Sequence, residues 1–323
     1  MSAEPGSDQP PPAAAAVVFP GQGSQRVGMG ADLYAAHPTI REVFDRAGEV
    51  LGYDLASFCL HGPASELART RCAQPALFAL SVGIWRLLAD RGVQPICAAG
   101  HSIGEFAAWV ASGAIEFEEA LLLVRKRAEL MEEAAKARKG AMSAMLGLPV
   151  DQVQQICEQA STVGAIAIAG CNCPGQVVVS GVVRAVERAE ELARRAGARV
   201  VRLAVAGAFH SPLMAEAAKA FAAEVERAPI RKAKIPVAAN ATGRLTQDVD
   251  DIRQAMREQM LKPVLWEAGM RAMISLGARL FIEAGGARVL SGMAVRIDPS
   301  VRPVPVDDVN GLEKATGALK DSG

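Results

Sequence analysis

The sequence has no excess of charge and few aromatic or imidazole side chains. Lysine and arginine number 35 and aspartate and glutamate also number 35, so net charge predicts no attraction to nucleic acid or to a membrane surface. Only 4% of the 323 residues are aromatic, and four are histidine. Any mechanism that needs an imidazole base must therefore draw on one of four positions.

A disulfide framework and long apolar runs are also missing. The six cysteines do not suggest disulfides in a chain of this length, so we predict a reducing compartment and a cytoplasmic protein. Cys171 and Cys173 have no second pair at zinc spacing, and we predict neither a metal nor a bound cofactor. No apolar run approaches the roughly 20 residues that span a bilayer. Residues 1–12 lack the basic start of a signal peptide and are predicted to be a disordered leader.

A serine between two glycines is the first sign of chemistry. Residues 100–104 read Gly-His-Ser-Ile-Gly, after a short apolar run and before a helical pattern that starts at Glu105. A strand, a tight turn and a helix make a nucleophile elbow, in which side chains flanking the serine would collide with the backbone. The helix N-terminus also favours a developing anion. The pattern predicts Ser102 as the nucleophile and the backbone N–H of Ile103 as one oxyanion donor.

Elimination among the four histidines favours His210 as the base. His37 and His61 lie in predicted loops beside prolines, and we interpret both as structural or solvated. His101 adjoins Ser102, and neighbours on a tight turn diverge, so a supporting or substrate-side role fits it better. His210 follows a predicted strand and precedes a predicted helix, in the serine-before-histidine order of α/β-hydrolase-like enzymes. A histidine that only caps this helix is the alternative.

Five blocks of the chain resemble the signature blocks of the malonyl-CoA:acyl carrier protein transacylases, which include stand-alone enzymes of fatty-acid synthesis and acyltransferase domains of polyketide synthases. The blocks are residues 19–25, 100–105, 172–181, 208–214 and 259–266. Five blocks in register are more specific than any one of them, and the resemblance covers roughly Val17 to Val304. It implies transfer of a malonyl group from CoA to the phosphopantetheine thiol of an acyl carrier protein.

Hydrophobic periodicity predicts an α/β chain in two parts. Between residues 138 and 205 the predicted elements run β-α-β-β-α-β, which is the ferredoxin-like unit. This small subdomain interrupts a larger, α/β-hydrolase-like body formed by residues 13–137 and 206–310, and residues 311–323 are predicted to be a C-terminal tail. The resemblance implies the same arrangement, with Ser102 and His210 on facing walls of a cleft between the subdomains.

The resemblance also implies roles that the residues alone leave open. It assigns a second oxyanion donor to the backbone N–H of Gln22, where an ordinary strand-to-helix turn is the alternative. No aspartate or glutamate stands in a motif context to orient His210. In the family, a carbonyl group near the glutamine that aligns with Gln259 holds the histidine, so Gln259 is predicted to belong to the catalytic set; a solvated polar residue is the alternative.

Arg127 carries the prediction of substrate class. On a helix, Arg125 and Arg127 point about 200° apart, so they cannot share one face. A solvated cationic face is the ordinary interpretation of this run, whereas the family alignment places Arg127 in the cleft. A guanidinium pairs bidentately with a carboxylate, and the free carboxylate of malonate is the obvious partner. An acyl group without a carboxylate would leave a buried arginine unpaired.

The remaining predictions concern selectivity and partners. Family members that choose malonyl often read His-Ala-Phe-His where this chain has Gly207-Ala208-Phe209-His210, so Phe209 is predicted to disfavour methylmalonyl. His101 and Asn172 complete the predicted substrate site. Three alternatives stay open: transfer of another acyl group such as methylmalonyl, hydrolysis of acyl groups from carriers, and a non-catalytic module. The predicted partners are malonyl-CoA and an acyl carrier protein, without nucleic acid or membrane, and we expect a monomer.

Overall fold

The computed structural model describes residues 14–320, so the predicted leader, residues 1–12, lies outside the described part of the chain. The strands are β1 (Ala14–Phe19), β2 (Cys97–Gly100), β3 (Gly140–Leu146), β4 (Ile166–Cys173), β5 (Gln176–Val182), β6 (Arg199–Arg202), β7 (Val237–Ala238), β8 (Leu245–Thr246), β9 (Ala278–Ala284) and β10 (Arg302–Val306). The helices are α1 (Ala31–Ala36), α2 (Pro38–Leu51), α3 (Leu55–His61), α4 (Ala64–Leu67), α5 (Thr70–Asp90), α6 (Gly104–Ala111), α7 (Phe117–Ala137), α8 (Val150–Ala160), α9 (Val183–Arg195), α10 (Ala215–Arg227), α11 (Val249–Glu258), α12 (Trp266–Ser275), α13 (Val289–Ile297) and α14 (Val309–Lys320).

Six strands form a sheet in the order β10-β9-β1-β2-β7-β8, parallel except for the β7–β8 pair. Its strand β1 is buried on both faces: Val17 and Phe19 pack into one apolar core, and Ala16 and Val18 into a second core with α12 and α13. Parallel strands covered on both faces read as continuous apolar runs, as residues 14–19 do. The loops after β1 and β2 meet at the carboxyl edge of this sheet, where ligands of α/β folds bind.

Four antiparallel strands form a second sheet in the order β4-β5-β3-β6, with α8 and α9 packed against it. This order confirms the predicted ferredoxin-like subdomain. Side chains of β3 alternate: Met145 joins a core with the two helices, whereas Met142 and Ala144 join the core of the large subdomain. The small sheet therefore keeps one face for its own core and turns the other toward the large subdomain.

A short backbone pairing joins the two subdomains. The N–H of Cys171 in β4 donates to the carbonyl of Val264 at 2.9 Å, and the N–H of Val264 donates to the carbonyl of Ala169 at 2.9 Å. Val264 lies in the connection between α11 and α12. The small sheet is thereby hydrogen-bonded to the connection between α11 and α12 in the large subdomain.

The C-terminal segment differs from its prediction. Residues 311–320 were expected to form part of a tail, but they belong to α14, and Leu312 and Ala315 are fully buried. The segment has few large apolar side chains, so its helical stripe is weak in the sequence. Residues three apart share a face of a helix, and this face packs against β10.

One helix in the described part of the chain, α5, is long and apolar enough to cross a membrane by length and composition alone. The sequence expectation that no run approaches that length is therefore too strict. Within the protein, 83% of the tested window of α5 is buried, and the helix packs between α2 and α7. Its apolar composition is explained by its position in the core of the large subdomain.

Candidate active site

Ser102 lies on a sharp turn between β2 and α6, as the sequence pattern predicts. Its φ is 52°, in the left-handed region that costs most residues energy. A Cβ on Gly100 would lie 1.9 Å from the carbonyl carbon of Gly104, and a Cβ on Gly104 would lie 2.2 Å from the carbonyl oxygen of Phe19. No side chain fits at either glycine of the motif, because its Cβ would collide with the backbone. The turn lifts the serine hydroxyl above the sheet edge.

His210 contacts this hydroxyl directly. Its Nε2 lies 2.8 Å from Ser102 Oγ, and its Nδ1 lies 2.8 Å from the carbonyl oxygen of Gln259 and 3.2 Å from that of Lys262. Carbonyl oxygens only accept, so Nδ1 carries the ring proton and Nε2 is free to accept from the serine. The histidine also has a positive φ, 54°. The predicted nucleophile and base therefore meet, and carbonyl groups hold the base.

Arg127 reaches the same hydroxyl from α7. Its Nη2 donates to Ser102 Oγ at 3.0 Å, its Nε to Gln259 Oε1 at 2.8 Å and its Nη1 to Gln74 Oε1 at 2.7 Å. The residue is 0% exposed. Arg125, two positions earlier, is only half-buried and donates to the carbonyl of Val50. Arg127, not Arg125, is thus the buried arginine of this run, and it contacts the predicted nucleophile without being one of the residues that line the cavity described next.

A cavity of about 270 Å³ opens beside these groups, between the two subdomains. We define its polar side as Gln22, His101, Ser102 and His210. We define its apolar side as Met142, Ala144, Ala169 and Val178 of the small sheet together with Leu203, Val205 and Phe209; both sides line the cavity. A concave apolar space with a few convergent polar groups is the usual form of a small-molecule site.

His101 and Asn172, both predicted to bind substrate, are partners of each other. His101 Nε2 lies 3.0 Å from Asn172 Oδ1, and both residues line the cavity. The histidine ring also packs against Trp266, with ring centroids 5.6 Å apart. This hydrogen bond links the elbow of the large subdomain to β4 of the small one, so the two residues shape the cavity where the subdomains meet.

Two backbone donors near the serine are free for an anion. The N–H of Ser102 itself is used, since it donates to Asn240 Oδ1 at 2.7 Å. Within residues 14–320, the N–H groups of Gln22 and Ile103 donate no hydrogen bond. A Cβ on Gly21 would lie 2.8 Å from the carbonyl oxygen of His101, so the loop carrying Gln22 is pressed against the elbow. The geometry is compatible with the oxyanion donors that were predicted.

The chain is similar to known acyl transferases over nearly its whole length. Residues 16–312 match the model of the acyl transferase domain. The malonyl CoA-acyl carrier protein transacylase of Bacillus subtilis is 39% identical over 308 residues, which cover 95% of this chain and 97% of the relative. The chain belongs to the malonyl CoA-acyl carrier protein transacylase family.

Solved structures of this transacylase family share the fold. The malonyl CoA-acyl carrier protein transacylase of Coxiella burnetii superposes with a TM-score of 0.93 at 37% identity, covering 95% of this chain and 98% of the other. A malonyl-transacylase in complex with its type II PKS acyl carrier protein superposes with a TM-score of 0.92 at 38% identity, covering 94% of this chain and 99% of the other. These likenesses confirm the α/β fold with its inserted small subdomain.

Three buried polar residues of this transacylase site were missed by the sequence analysis. Glu105 accepts from the Nε2 of Gln259 and, at 2.7 Å, from the N–H of Asn240. Asn240 also donates to the carbonyl of Gly100 at 2.7 Å, and Gln74 holds Arg127. Glu105 is an acid in the first turn after the elbow and ends the family block of residues 100–105, whereas Gln74 and Asn240 had no signal beyond a polar residue in an apolar context. An acid is present in the site, but it does not bond the histidine.

Burial shifts the pKa values of His210, Arg127 and Glu105. Burial lowers the pKa of His210 to about 3, and the positive charge of Arg127 adds to this effect. Burial also lowers the pKa of Arg127 to about 10, opposed by Glu105. The pKa of Glu105 is raised by burial to about 7, opposed by hydrogen bonds from Asn240 and Gln259. At neutral pH His210 is therefore an uncharged imidazole that can accept a proton.

Proposed function

We propose that this protein transfers a malonyl group from CoA to the phosphopantetheine thiol of an acyl carrier protein through a malonyl ester on Ser102. One observation carries the proposal: Ser102 Oγ lies 2.8 Å from the imidazole of His210 and 3.0 Å from the buried guanidinium of Arg127. A base and a cation that can bind a carboxylate thus both contact the oxygen atom of the proposed nucleophile. The names of the relatives support malonyl as the group transferred.

In the first half-reaction, Ser102 Oγ attacks the carbonyl carbon of the malonyl thioester and gives its proton to His210 Nε2. The tetrahedral oxyanion accepts hydrogen bonds from the free N–H groups of Gln22 and Ile103. As the C–S bond breaks, the imidazolium returns the proton to the thiolate of CoA. The products are free CoA and a malonyl ester on Ser102, which splits one exchange into two easier steps.

In the second half-reaction, the thiol of the carrier's phosphopantetheine arm takes the place of CoA. His210 Nε2 removes the thiol proton, the thiolate attacks the ester carbonyl, and the C–O bond to Ser102 breaks. The imidazolium then gives its proton to the departing serine oxygen, so the enzyme is restored. The carbonyls of Gln259 and Lys262 keep the Nδ1 proton in place through both halves.

Arg127 selects the acyl group in this proposal. Its Nη2 hydrogen-bonds Ser102 Oγ without substrate, and a malonyl carboxylate beside the serine would replace that contact with a charge-assisted pair. An acetyl group offers no such partner and leaves the cation without a substrate charge. Because the arginine is 0% exposed, water cannot take over this role.

The proposed acceptor is the phosphopantetheine thiol of an acyl carrier protein. One structural relative is a malonyl-transacylase bound to its type II PKS acyl carrier protein, which supports a carrier as the acceptor here. We further propose that the protein works as a cytoplasmic monomer, with no metal or bound cofactor and with malonyl-CoA as substrate. The carbonyl-held histidine stabilises imidazolium less than a carboxylate would, which suits an acyl-enzyme that must outlive contact with water.

Intact-mass spectrometry tests the proposal. Incubation with malonyl-CoA should add one malonyl group, and Ser102→Ala should abolish the addition. Ser112→Ala is the matched control, since this serine is buried at the other end of α6 and its hydroxyl donates only to the carbonyl of Trp109 in the same helix. Holo carrier protein should then discharge the acyl-enzyme much faster than buffer does. Equal labelling of Ser102→Ala would show that Ser102 is not the nucleophile. Discharge of the acyl-enzyme by buffer as fast as by carrier would show that the protein acts as a hydrolase.

A further inference from the structure

We propose that Glu105 is a positioning residue that acts through Gln259 to balance the charge of Arg127 while leaving Nη2 of the guanidinium available to the substrate. The inference rests on the proposed malonyl transfer. It concerns a buried carboxylate to which that mechanism gives no step. Glu105 is 0% exposed and lies in the first turn of α6, three residues after the nucleophile.

The contacts of Glu105 are unusual for a buried acid. One oxygen accepts from the backbone N–H of Asn240 at 2.7 Å, and the other accepts from the side-chain amide of Gln259. Among residues 14–320, no lysine, arginine or histidine forms an ion pair with it. Buried charges are normally paired, so the compensating charge must act across an intervening group. Arg127 is that charge, one amide away.

The amide of Gln259 can take only one orientation between these two ions. Arg127 Nε only donates and lies 2.8 Å from Gln259 Oε1, whereas Glu105, which is ionised above its raised pKa of about 7, then only accepts and faces Gln259 Nε2. A flipped amide would set donor against donor on one side and acceptor against acceptor on the other. Gln259 Nε2 also donates to the carbonyl of Ser102 at 3.0 Å. The two charges on either side of the amide therefore fix the side chain of Gln259, whose backbone carbonyl holds His210.

This indirect pairing has a consequence for the substrate. A carboxylate placed directly on Arg127 would occupy the guanidinium and compete with the malonyl carboxylate. With Gln259 between them, Glu105 lowers the cost of burying the cation but contacts none of its nitrogens. Nη2 stays directed at Ser102 Oγ, where the substrate's own carboxylate would arrive. Glu105 would thus support malonyl selection without touching the substrate.

The competing explanation is purely structural. An acid in the first turn of a helix interacts favourably with the helix dipole, and Glu105 also ties down the loop of Asn240. A structural role predicts loss of stability with equal effects on all acyl groups. A positioning role predicts a change in the ratio of malonyl to acetyl transfer, since only malonyl uses Arg127.

The test is Glu105→Gln, measured as kcat/KM for self-acylation from malonyl-CoA and from acetyl-CoA. No orientation of the new amide can accept from both Asn240 and Gln259, so one donor is left unpaired. We expect kcat/KM with malonyl-CoA to fall about tenfold to a hundredfold, mainly through KM, and acetyl-CoA to be affected much less. Glu283→Gln is the matched control, because Glu283 is also fully buried and caps α13. It should lower stability without changing the ratio.

A double-mutant cycle decides between the two roles. In an Arg127→Ala background, Glu105→Gln should cost malonyl acylation less than about threefold, because the residue through which it acts is gone. An equal loss in both backgrounds, or an unchanged malonyl-to-acetyl ratio in the single variant, would overturn the inference. If Glu105→Gln does not fold, Glu105→Asp takes its place: it keeps the charge, shortens the reach to Gln259, and should lower the same ratio. Absence of malonyl labelling in the unaltered protein would instead refute the proposed function.

Discussion

The polar and apolar sides of the cavity differ in what holds their side chains in place. On the polar side, Ser102 and His210 are tied by hydrogen bonds of 2.7 to 3.2 Å to other side chains and to backbone carbonyls. On the apolar side, Met142, Ala144 and Val178 come from a sheet whose opposite face packs on its own helices. One side fixes atoms and the other supplies shape. The chemistry we propose therefore depends on contacts between distant parts of the large subdomain, and the fit of the acyl group depends on the small sheet together with Phe209.

Removing the cation behind the polar side should have the largest effect on substrate choice. Arg127→Ala should weaken malonyl acylation by about 3 kcal/mol, the typical loss when one partner of a buried ion pair is deleted, while acetyl acylation is kept or rises. Intact mass after competition between malonyl-CoA and acetyl-CoA measures the shift. Arg125→Ala, two residues away and half-buried, is the control. The reverse pattern in these two variants would show that the malonyl carboxylate binds on the other face of α7.

Enlarging the apolar side should have a smaller effect, on shape alone. Phe209 is 4% exposed and lines the cavity, and a Cβ on Gly207 would lie 2.5 Å from Cβ of Ala135, so this loop has little room to move. One methyl group in a shaped apolar pocket changes discrimination by roughly 1–3 kcal/mol. Phe209→Ser should therefore raise methylmalonyl relative to malonyl transfer by about tenfold or more in competition. An unchanged ratio would mean that Phe209 does not crowd the α-carbon.

Lowering the pH should have the smallest effect on kcat/KM for acetyl-CoA. The size of that effect shows whether the imidazole of His210 is buried or solvated. The pKa of His210 is lowered to about 3, so its neutral form persists as the pH falls from 8 to 5 and is lost only near 3. We expect kcat/KM for acetyl-CoA, which uses neither Arg127 nor the charge of Glu105, to stay level over that range. In contrast, kcat/KM for malonyl-CoA should fall as Glu105, whose pKa burial raises to about 7, takes up a proton. Circular dichroism at each pH checks that the protein is folded. A decline of the acetyl-CoA value centred near 6.5, the ordinary histidine value, would show a solvated imidazole.

Sequence patterns predicted those parts of the site that are formed by residues close together in the sequence. The elbow at Ser102 needs two glycines four positions apart, and the burial of Arg127 follows from spacing along one helix together with the family alignment. The same holds for the ferredoxin-like unit, whose apolar alternation is readable strand by strand. The failure at α14 has the same origin, since its buried face consists of Leu312 and small alanines that give a weak stripe.

What could not be predicted is the network that connects these parts. Glu105 meets Asn240 and Gln259 across 135 and 154 residues of sequence, and Arg127 meets Gln74 across 53. Hydrogen bonds between residues so far apart depend on the packing of whole helices, and nothing in the spacing of single residues reports them. For Gln259 the family block predicted a carbonyl close to the histidine, but not the bridging role of its side chain.

The positive φ angles of Ser102 and His210, 52° and 54°, also bear on how such a protein can change over time. Each is a conformation that glycine adopts freely and other residues adopt at a cost of about 1–3 kcal/mol. At both positions the strained backbone is retained together with hydrogen bonds that the same side chains make. Replacing either residue with glycine would relieve the strained angle, but it would also delete those bonds and, at buried His210, leave a cavity. At the two positions that we propose carry out the exchange, a drift toward glycine is therefore opposed by packing as well as by selection for activity.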